Sequence, residues 1–112
     1  MRLKIIRADD SITHVAIHGR LDVQGVNDIQ YEFLHQMTSL PKAGLVDLSH
    51  MTYMGSLGIG MLVSAAKYLQ RHGAKMVLLS PSVMVRKALE TSGLHHVIPI
   101  ADEESAALAL LR

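Results

Sequence analysis

The strongest constraint on the fold is a segment in which a short apolar run passes through a glycine-rich turn into a helical pattern. Residues 45–48 predict a buried strand, and residues 59–71 have the periodicity of an amphipathic helix. The turn at 55–58, Gly-Ser-Leu-Gly, places the hydroxyl of Ser56 at the start of this helix. A helix start presents unpaired N–H groups and the positive end of the helix dipole. The segment therefore predicts a turn that can hold an anion or carry a phosphate.

Composition and charge limit the class of protein. The chain has 112 residues, of which 49% are apolar and 19% charged, and it contains no cysteine. These values favour one compact domain over residues 1–112 and exclude disulfide scaffolds, thiol catalysis and thiolate metal sites. A net charge of +1 with interspersed signs predicts no nucleic-acid binding. No apolar run is long enough for membrane insertion, and the charged first seven residues do not resemble a signal peptide, so we expect a cytoplasmic protein.

Hydrophobic periodicity predicts strands that alternate with helices after an initial hairpin. Residues 3–7 and 12–18 form the hairpin strands, and the turn formers Asp9, Asp10 and Ser11 lie between them. The other predicted strands are 45–48, 75–79 and 97–100, and the predicted helices are 23–37, 59–71, one after 80–82 and one from 102. The order ββαβαβαβα predicts an α/β fold with a single mixed, mostly parallel sheet of about 4–5 strands, an N-terminal hairpin and about four helices.

Apolar stripes predict which helix faces pack on the sheet. The stripes are Val26, Ile29, Phe33 and Met37 in the first helix, and Ile59, Leu62, Ala66 and Leu69 in the second. Asp22 directly precedes the first helix and is predicted to be its N-cap. Right-handed crossovers place the turn at 55–58 at the carboxyl edge of the sheet, where α/β folds usually carry their sites.

Short motifs occur in a characteristic order along the chain. They are Gly-Arg-Leu-Asp at 19–22, Leu-Val-Asp-Leu-Ser at 45–49 with Tyr-Met-Gly-Ser-Leu-Gly-Ile-Gly at 53–60, Gly-Ala-Lys-Met-Val-Leu at 73–78, and Leu-Glu-Thr-Ser-Gly-Leu at 89–94. Together they resemble the STAS domain family, which includes bacterial anti-sigma factor antagonists and the cytoplasmic tails of sulfate transporters. The resemblance implies a regulatory binding module without enzymatic activity or cofactor, which sequesters an anti-sigma factor or a related serine kinase.

The glycine-rich turn departs from the pattern of the family that it resembles. In that family an aspartate precedes two hydroxyl residues, and the partner kinase phosphorylates the second hydroxyl to release the antagonist. Here Gly55 replaces the aspartate, Ser56 keeps the first hydroxyl, and Leu57 occupies the phosphoacceptor position. The resemblance therefore implies partner binding without the usual phosphorylation switch, with Ser56 as the only hydroxyl in the turn that could replace it. The partner-binding residues that the resemblance implies are Asp22, Gly25, Met54, Gly55, Ser56, Leu57 and Gly58.

Each residue of the turn also has a purely structural interpretation. Ser56 is either an N-cap that accepts a backbone hydrogen bond, which we favour, or a phosphorylation site. Leu57 either packs inward at the junction of strand and helix, which we favour, or contacts a partner. Gly55, Gly58 and Gly60 either allow close packing of helix on sheet or form a phosphate cradle. Because the pattern lacks the lysine of a P-loop, we favour close packing.

Acidic and histidine residues suggest two further kinds of site. Asp47, Asp9 and Asp10 lie at strand ends, like the acidic pocket of a receiver domain, but the predicted hairpin does not match the strand–helix–strand start of such a domain. His14 and His18 share a strand face and lie roughly 13 Å apart at ~3.3 Å per residue, too far to chelate one ion. We therefore expect no metal site, and we expect the histidines to be solvated or to lie on strand surfaces.

Three classes of function remain open from the sequence. The first is an anti-sigma factor antagonist, either a monomer or a weak homodimer. The second is a small-ligand or anion-sensing module, or a transport-associated regulatory domain. The third is a hydrolase built on Ser56, for which His50 is near in sequence but no third orienting group is evident. The lack of a transmembrane segment favours the first class over a transporter tail.

Overall fold

The computed structural model describes residues 1–112 and contains a six-stranded sheet with four α-helices. The order of elements is ββαββαβαβα, with a short 3₁₀ turn at Leu94–His96 after the third helix. The strands are β1 (Arg2–Ala8), β2 (Ile12–Leu21), β3 (Ala43–Asp47), β4 (Met51–Met54), β5 (Met76–Leu79) and β6 (Ile100–Ala101). The helices are α1 (Val23–Thr38), α2 (Ser56–Arg71), α3 (Val83–Thr91) and α4 (Glu104–Leu111).

The sheet is mixed and mostly parallel, as the alternation of elements predicts. Its strand order is β1-β2-β3-β5-β6, and β4 pairs with β2 beyond the end of β3. Only β1 is antiparallel to its neighbour, with Ile5 opposite Val15 in the β1–β2 hairpin. The predicted α/β class, the N-terminal hairpin and the four helices are therefore confirmed.

Strand β4 is the element that the sequence pattern did not predict. Strand β2 is ten residues long and continues past the five residues of β3. Its last residues pair instead with β4, with Gly19 aligned to Met51 and Leu21 aligned to Met54. In β4 the two outer residues are buried and the two central ones exposed, so the strand lacks the alternation by which a half-buried strand is recognised.

The predicted strand at 97–100 is largely wrong. Leu94–His96 forms a 3₁₀ turn, and only Ile100 and Ala101 pair with β5. Pro99 has no backbone N–H and cannot donate a hydrogen bond to a strand ladder. The paired segment is therefore shortened to two residues.

Two apolar layers cover the two faces of the sheet. Helices α1, α2 and α3 pack on one face around a cluster of 21 buried residues that includes Phe33, Leu62 and Leu89. Helix α4 packs on the opposite face, where Ala107 joins Ile12, Leu45 and Val77 among other residues. The second face is covered less completely than the first, because α4 closely contacts only β3, β5 and β6.

The predicted stripe of α1 is confirmed, because all four of its residues are buried. The stripe of α2 is only partly correct. Leu62 and Leu69 are buried, whereas Ile59 and Ala66 are half-buried. The buried face of α2 also includes Met61 and Ala65. The buried face of α2 is thus rotated toward Gly58 and Ala65, one position before the predicted Ile59 and Ala66.

Candidate functional site

The start of α1 is held against the end of β2 by Asp22. The Asp22 carboxylate accepts a hydrogen bond from the Gly25 N–H at 2.8 Å, which confirms Asp22 as the N-cap of α1. This hydrogen bond, helped by the Arg20 guanidinium, lowers the pKa of Asp22 from its ordinary value. Arg20 also lies over the ring of Tyr53, with 4.5 Å between the guanidinium carbon and the ring centroid. Residues from β2, α1 and β4 therefore meet at this corner of the sheet.

Gly25 is a steric requirement of this corner. A Cβ atom at position 25 would lie 2.1 Å from the carbonyl oxygen of Arg20. The backbone fixes the positions of both the Cβ atom and the carbonyl oxygen, so no change of side-chain rotamer could relieve this contact. Gly25 is buried, so it supports the surface by allowing α1 to approach β2 and is not itself accessible.

The start of α2 lies beside the start of α1. The Gly55 N–H donates a hydrogen bond to the Leu21 carbonyl at 3.0 Å, which ties the end of β4 to the end of β2. Gly55 is the N-cap of α2 and offers no side-chain oxygen, and Ser56 is the first residue inside the helix. The expectation that Ser56 caps the helix is therefore wrong: its hydroxyl is exposed and makes no hydrogen bond within the chain.

The glycines of α2 differ in their surroundings. A Cβ atom on Gly58 would lie 2.5 Å from Cδ2 of Leu21, so close packing requires glycine there, as predicted. A Cβ atom on Gly55 would make a contact of 3.4 Å with the Tyr53 ring, close to ordinary van der Waals distance. Gly60 has no neighbour within 4 Å, so the prediction of close packing is wrong for this position.

Leu57 points outward from the start of α2. Its side chain is 54% exposed, which contradicts the expectation that it packs into the loop. The inward-facing position of the first turn of α2 is Gly58, which lies directly against Leu21 and leaves no room there for a larger side chain. Leu57 is thus an accessible apolar side chain at the carboxyl edge of the sheet.

A shallow cleft of about 150 Å³ lies between the starts of α1 and α2. The sequence-predicted residues that line it are Asp22, Gly55, Ser56 and Leu57, whereas Met54, Gly25 and Gly58 are buried behind it. Two lining residues, Val23 and Tyr53, were not predicted from the sequence. The sequence could have indicated both, because each is a large apolar or aromatic residue within two positions of the residue that caps α1 or α2. We call this surface, formed by Asp22, Val23, Tyr53, Gly55, Ser56 and Leu57, the helix-start cleft.

The acidic pocket of a receiver domain is not formed. Asp9 lies in the hairpin turn before Ile12, which pairs with the first residue of β3, whereas Asp47 is the last residue of that strand. The hairpin turn and Asp47 are therefore at opposite ends of the sheet. Asp9 instead forms an ion pair with Arg7 and accepts the Ser11 N–H, and these hydrogen bonds lower its pKa strongly.

The histidines do not assemble a catalytic or metal-binding group. The Nδ1 atom of His50 lies 3.1 Å from the hydroxyl of Ser49, and no histidine is hydrogen-bonded to Ser56. No group of three or more His, Asp or Glu side chains is arranged to hold an ion. The expectation that the histidines are solvated is wrong for His14. Its side chain is only 8% exposed, and its Nε2 atom has no hydrogen-bond partner. None of the four helices has the length and apolar character needed to cross a bilayer.

Comparison with known proteins places this geometry in a family. The model of the STAS domain matches residues 4–107. A Bordetella bronchiseptica protein, provisionally named anti-sigma factor antagonist BtrV, is 23% identical over 92% of this chain and 89% of its own length. The anti-sigma F factor antagonist of Paenibacillus polymyxa is 30% identical over 60% of this chain and 57% of its own length.

A solved structure has the same fold. The anti-sigma factor antagonist SpoIIAA in its unphosphorylated form superposes with a TM-score of 0.79, at 22% identity, over 97% of this chain and 96% of that one. The family match covers all but the first three and last five residues of the chain, including both helix starts that form the cleft. The chain belongs to the STAS domain family.

Proposed function

We propose that this chain is an anti-sigma factor antagonist that binds an anti-sigma factor, or a related serine kinase, through the helix-start cleft. The relatives from Bordetella bronchiseptica and Paenibacillus polymyxa, which match 92% and 60% of the chain, are named as antagonists of this kind. The observation that carries the proposal is the outward position of Leu57 in the turn where the family carries its phosphoacceptor.

The cleft has the chemistry of a protein-binding surface. Leu57 is 54% exposed and Val23 61% exposed, and Tyr53, whose ring lies under the Arg20 guanidinium, lines the same cleft. Complete burial of a leucine side chain is worth about 1.5–3 kcal/mol, so the exposed half of Leu57 can contribute about 1 kcal/mol when a partner covers it. The carboxylate of Asp22 adds a polar boundary, which is the usual arrangement of an apolar contact with a charged rim.

The same residues argue against an anion-sensing function. Asp22 lines the cleft and its lowered pKa keeps its carboxylate charged at neutral pH. A negative side chain repels an anion that would otherwise bind at the start of α2. The proposal for partner binding is therefore better supported than the proposal of a small anionic ligand, and nothing in the cleft favours a transport-associated role.

Binding to an identified partner tests the proposal directly. Candidate anti-sigma factors and serine kinases from the same host are purified, and their affinity for this chain is measured by calorimetry. Leu57→Asp is expected to weaken binding at least about tenfold, because it places a charge in a desolvated apolar contact. Leu40→Asp is the matched control, since Leu40 is also exposed, at 71%, but lies beyond the far end of α1.

Two outcomes of this binding experiment would contradict the proposal. If a partner binds and the Leu57 and Leu40 variants lose affinity equally or not at all, the interface lies away from the helix-start cleft. If none of the purified anti-sigma factors or kinases binds, the antagonist function itself is wrong.

A further inference from the structure

A second surface lies on the other face of the sheet, away from the helix-start cleft. In the β1–β2 hairpin Arg2 is opposite His18 and Lys4 is opposite Ala16, so these side chains share one face. Ala16 is in turn aligned with Asp47 of β3. This is the face on which α4 packs, but α4 covers mainly β3, β5 and β6. The hairpin part of the face is left without a covering helix.

The charges of this uncovered surface are mostly positive and unpaired. Arg2 and Lys4 are exposed, and neither forms an ion pair. One carboxylate, that of Asp47, is close enough to act on His18. It already accepts a hydrogen bond from the Ser49 N–H at 2.9 Å. The two permanent cations therefore outnumber the single acid.

Two stacked histidines complete the surface. The rings of His18 and His50 are 4.5 Å apart and within 5° of parallel. The turn that carries His50 is fixed by a hydrogen bond from the Gly19 N–H to the His50 carbonyl at 3.0 Å. Burial, then the proximity of His50, Arg2 and Lys4, lowers the pKa of His18, and Asp47 opposes this change only in part. Positive charge is thus in excess here, and the single carboxylate of Asp47 offsets only part of it.

We infer that this surface, formed by Arg2, Lys4, His18 and His50 and called here the hairpin face, binds an acidic segment of a partner protein. Carboxylates supply the charge that the hairpin face lacks, so the argument rests on charge complementarity. Strand β1 pairs only with β2, so its outer backbone edge is also free to hydrogen-bond an extended segment. The inference is independent of the proposed binding at the helix-start cleft.

Other occupants fit the hairpin face less well. A second copy of the chain, paired through β1, would place Arg2 and Lys4 of one copy near the same cations of the other. Each permanent cation contributes only about 1 kcal/mol to binding an anionic membrane, so two are too few for stable attachment. Nucleic acid requires a more extended basic surface than two cations beside the carboxylate of Asp47.

Binding at the hairpin face is pH-dependent. The charged and titratable groups that face His18 are Arg2 and Lys4 from β1, His50 from the turn after β3, and Asp47 from β3. Protonation of the His18 ring adds positive charge that these cations disfavour and that an acidic segment favours. The segment therefore binds more tightly as the pH falls toward the lowered pKa of His18.

A synthetic peptide tests the inference. The probe is a ten-residue peptide with glutamate at alternate positions and threonine between, and its control has glutamine in place of glutamate. Binding is followed by chemical shifts of ¹⁵N-labelled protein and by calorimetry at about pH 5.5 and pH 8. We expect shifts confined to β1, β2 and the turn at His50, affinity about fivefold higher at the lower pH, and loss of binding in high salt.

Variants separate the contributions of the two kinds of side chain. Arg2→Gln with Lys4→Gln is expected to weaken binding about fivefold at both pH values. His18→Gln is expected to remove the pH dependence while keeping the affinity measured at pH 8. Lys87→Gln, on the exposed side of α3, removes one cation elsewhere and is expected to change nothing. Thermal melts establish that each variant is folded, and the double variant alters only exposed side chains.

Three results overturn the inference. The first is equal binding of the glutamate and glutamine peptides, or no binding of either. The second is binding that the Arg2 and Lys4 substitutions leave unchanged. The third is attachment to vesicles of phosphatidylserine and phosphatidylcholine without binding of the acidic peptide, which assigns the hairpin face to a membrane. Loss of binding at the helix-start cleft affects none of these results, so the two proposals fail separately.

Discussion

The side chain of Leu21 fills the space that a Cβ atom on Gly58 would need, since that atom would lie 2.5 Å from Cδ2 of Leu21. Leu21 is fully buried at the end of β2, and Gly58 lies in the first turn of α2. The Leu21 carbonyl also accepts the Gly55 N–H. Through this one residue, the start of α2 is positioned against the strand that leads into α1. The helix-start cleft depends on that positioning.

Substitution of Gly58 tests this relationship. Gly58→Ala is expected to lower the free energy of unfolding by about 2 kcal/mol, because the added methyl group forces Leu21 or the helix to shift. Gly60→Ala in the same helix is the matched control and is expected to raise the free energy of unfolding by about 0.5–1 kcal/mol, since its surroundings are open. Urea unfolding measures both. Equal effects of the two substitutions would show that α2 does not pack on Leu21 as described.

The N-cap of α1 makes stability depend on pH in the acidic range. The pKa of Asp22 is lowered in the folded protein, so its carboxylate stabilises the fold above the ordinary aspartate pKa. This contribution is lost as the pH falls through the lowered pKa. Asp22→Ala should therefore lower the melting temperature at neutral pH, and the difference from the unsubstituted chain should shrink below about pH 4. A difference that grows on acidification would contradict the assigned hydrogen bond.

Placement of α2 on the sheet predicts the effect of a buried charge. Leu62→Asp is expected to destabilise the chain by about 4 kcal/mol, because Leu62 is fully buried and no group is available to pair with the new carboxylate. Ser64→Asp introduces the same charge on the exposed side of the same helix and should change stability by less than about 0.5 kcal/mol. Chemical denaturation followed by circular dichroism measures both, and similar midpoints would refute this placement.

Regulation at the helix-start cleft is predicted to differ from that of antagonists with a hydroxyl at position 57. We expect no phosphate on the turn in protein isolated from its native host, because Leu57 offers no acceptor. Leu57→Ser restores a hydroxyl and, if the partner is a serine kinase, should be phosphorylated by it in the presence of ATP. Intact-mass measurement and fragment mapping check both statements. A substantial phosphoserine population at Ser56, abolished in Ser56→Ala together with regulation, would show that the acceptor is displaced by one residue.

A charge at Ser56 is expected to weaken partner binding without unfolding the chain. Ser56→Glu places a carboxylate in the first turn of α2, where the helix dipole tolerates it, so the melting temperature should stay within about 2 °C of the original. The same carboxylate adds to that of Asp22 beside the apolar side chain of Leu57. Ser56→Gln is the uncharged control. An unchanged affinity of Ser56→Glu would remove this residue from the interface.

Local features were readable from the sequence because they depend on residues close together in the chain. The stripe from Val26 to Met37 follows from the periodicity of one helix, and the Asp22 cap bonds a residue only three positions away. The alternation of strands and helices after a hairpin likewise predicted a mixed, mostly parallel sheet. These predictions hold because each element buries its own apolar face whatever its neighbours are.

Other features were decided only by tertiary structure. Strand β4 forms because β2 extends beyond the end of β3, and its last residues pair with a second strand. The local sequence Met-Thr-Tyr-Met gives no sign of this pairing. Leu57 is exposed because the inward-facing position of the turn is Gly58, packed against Leu21 of a distant strand, whereas the sequence alone favoured inward packing of Leu57. His18 and His50 are 32 positions apart and stack only because β4 follows β3 along the edge of β2. Sequence thus determined which elements form, whereas packing between distant segments determined which side chains reach the two surfaces.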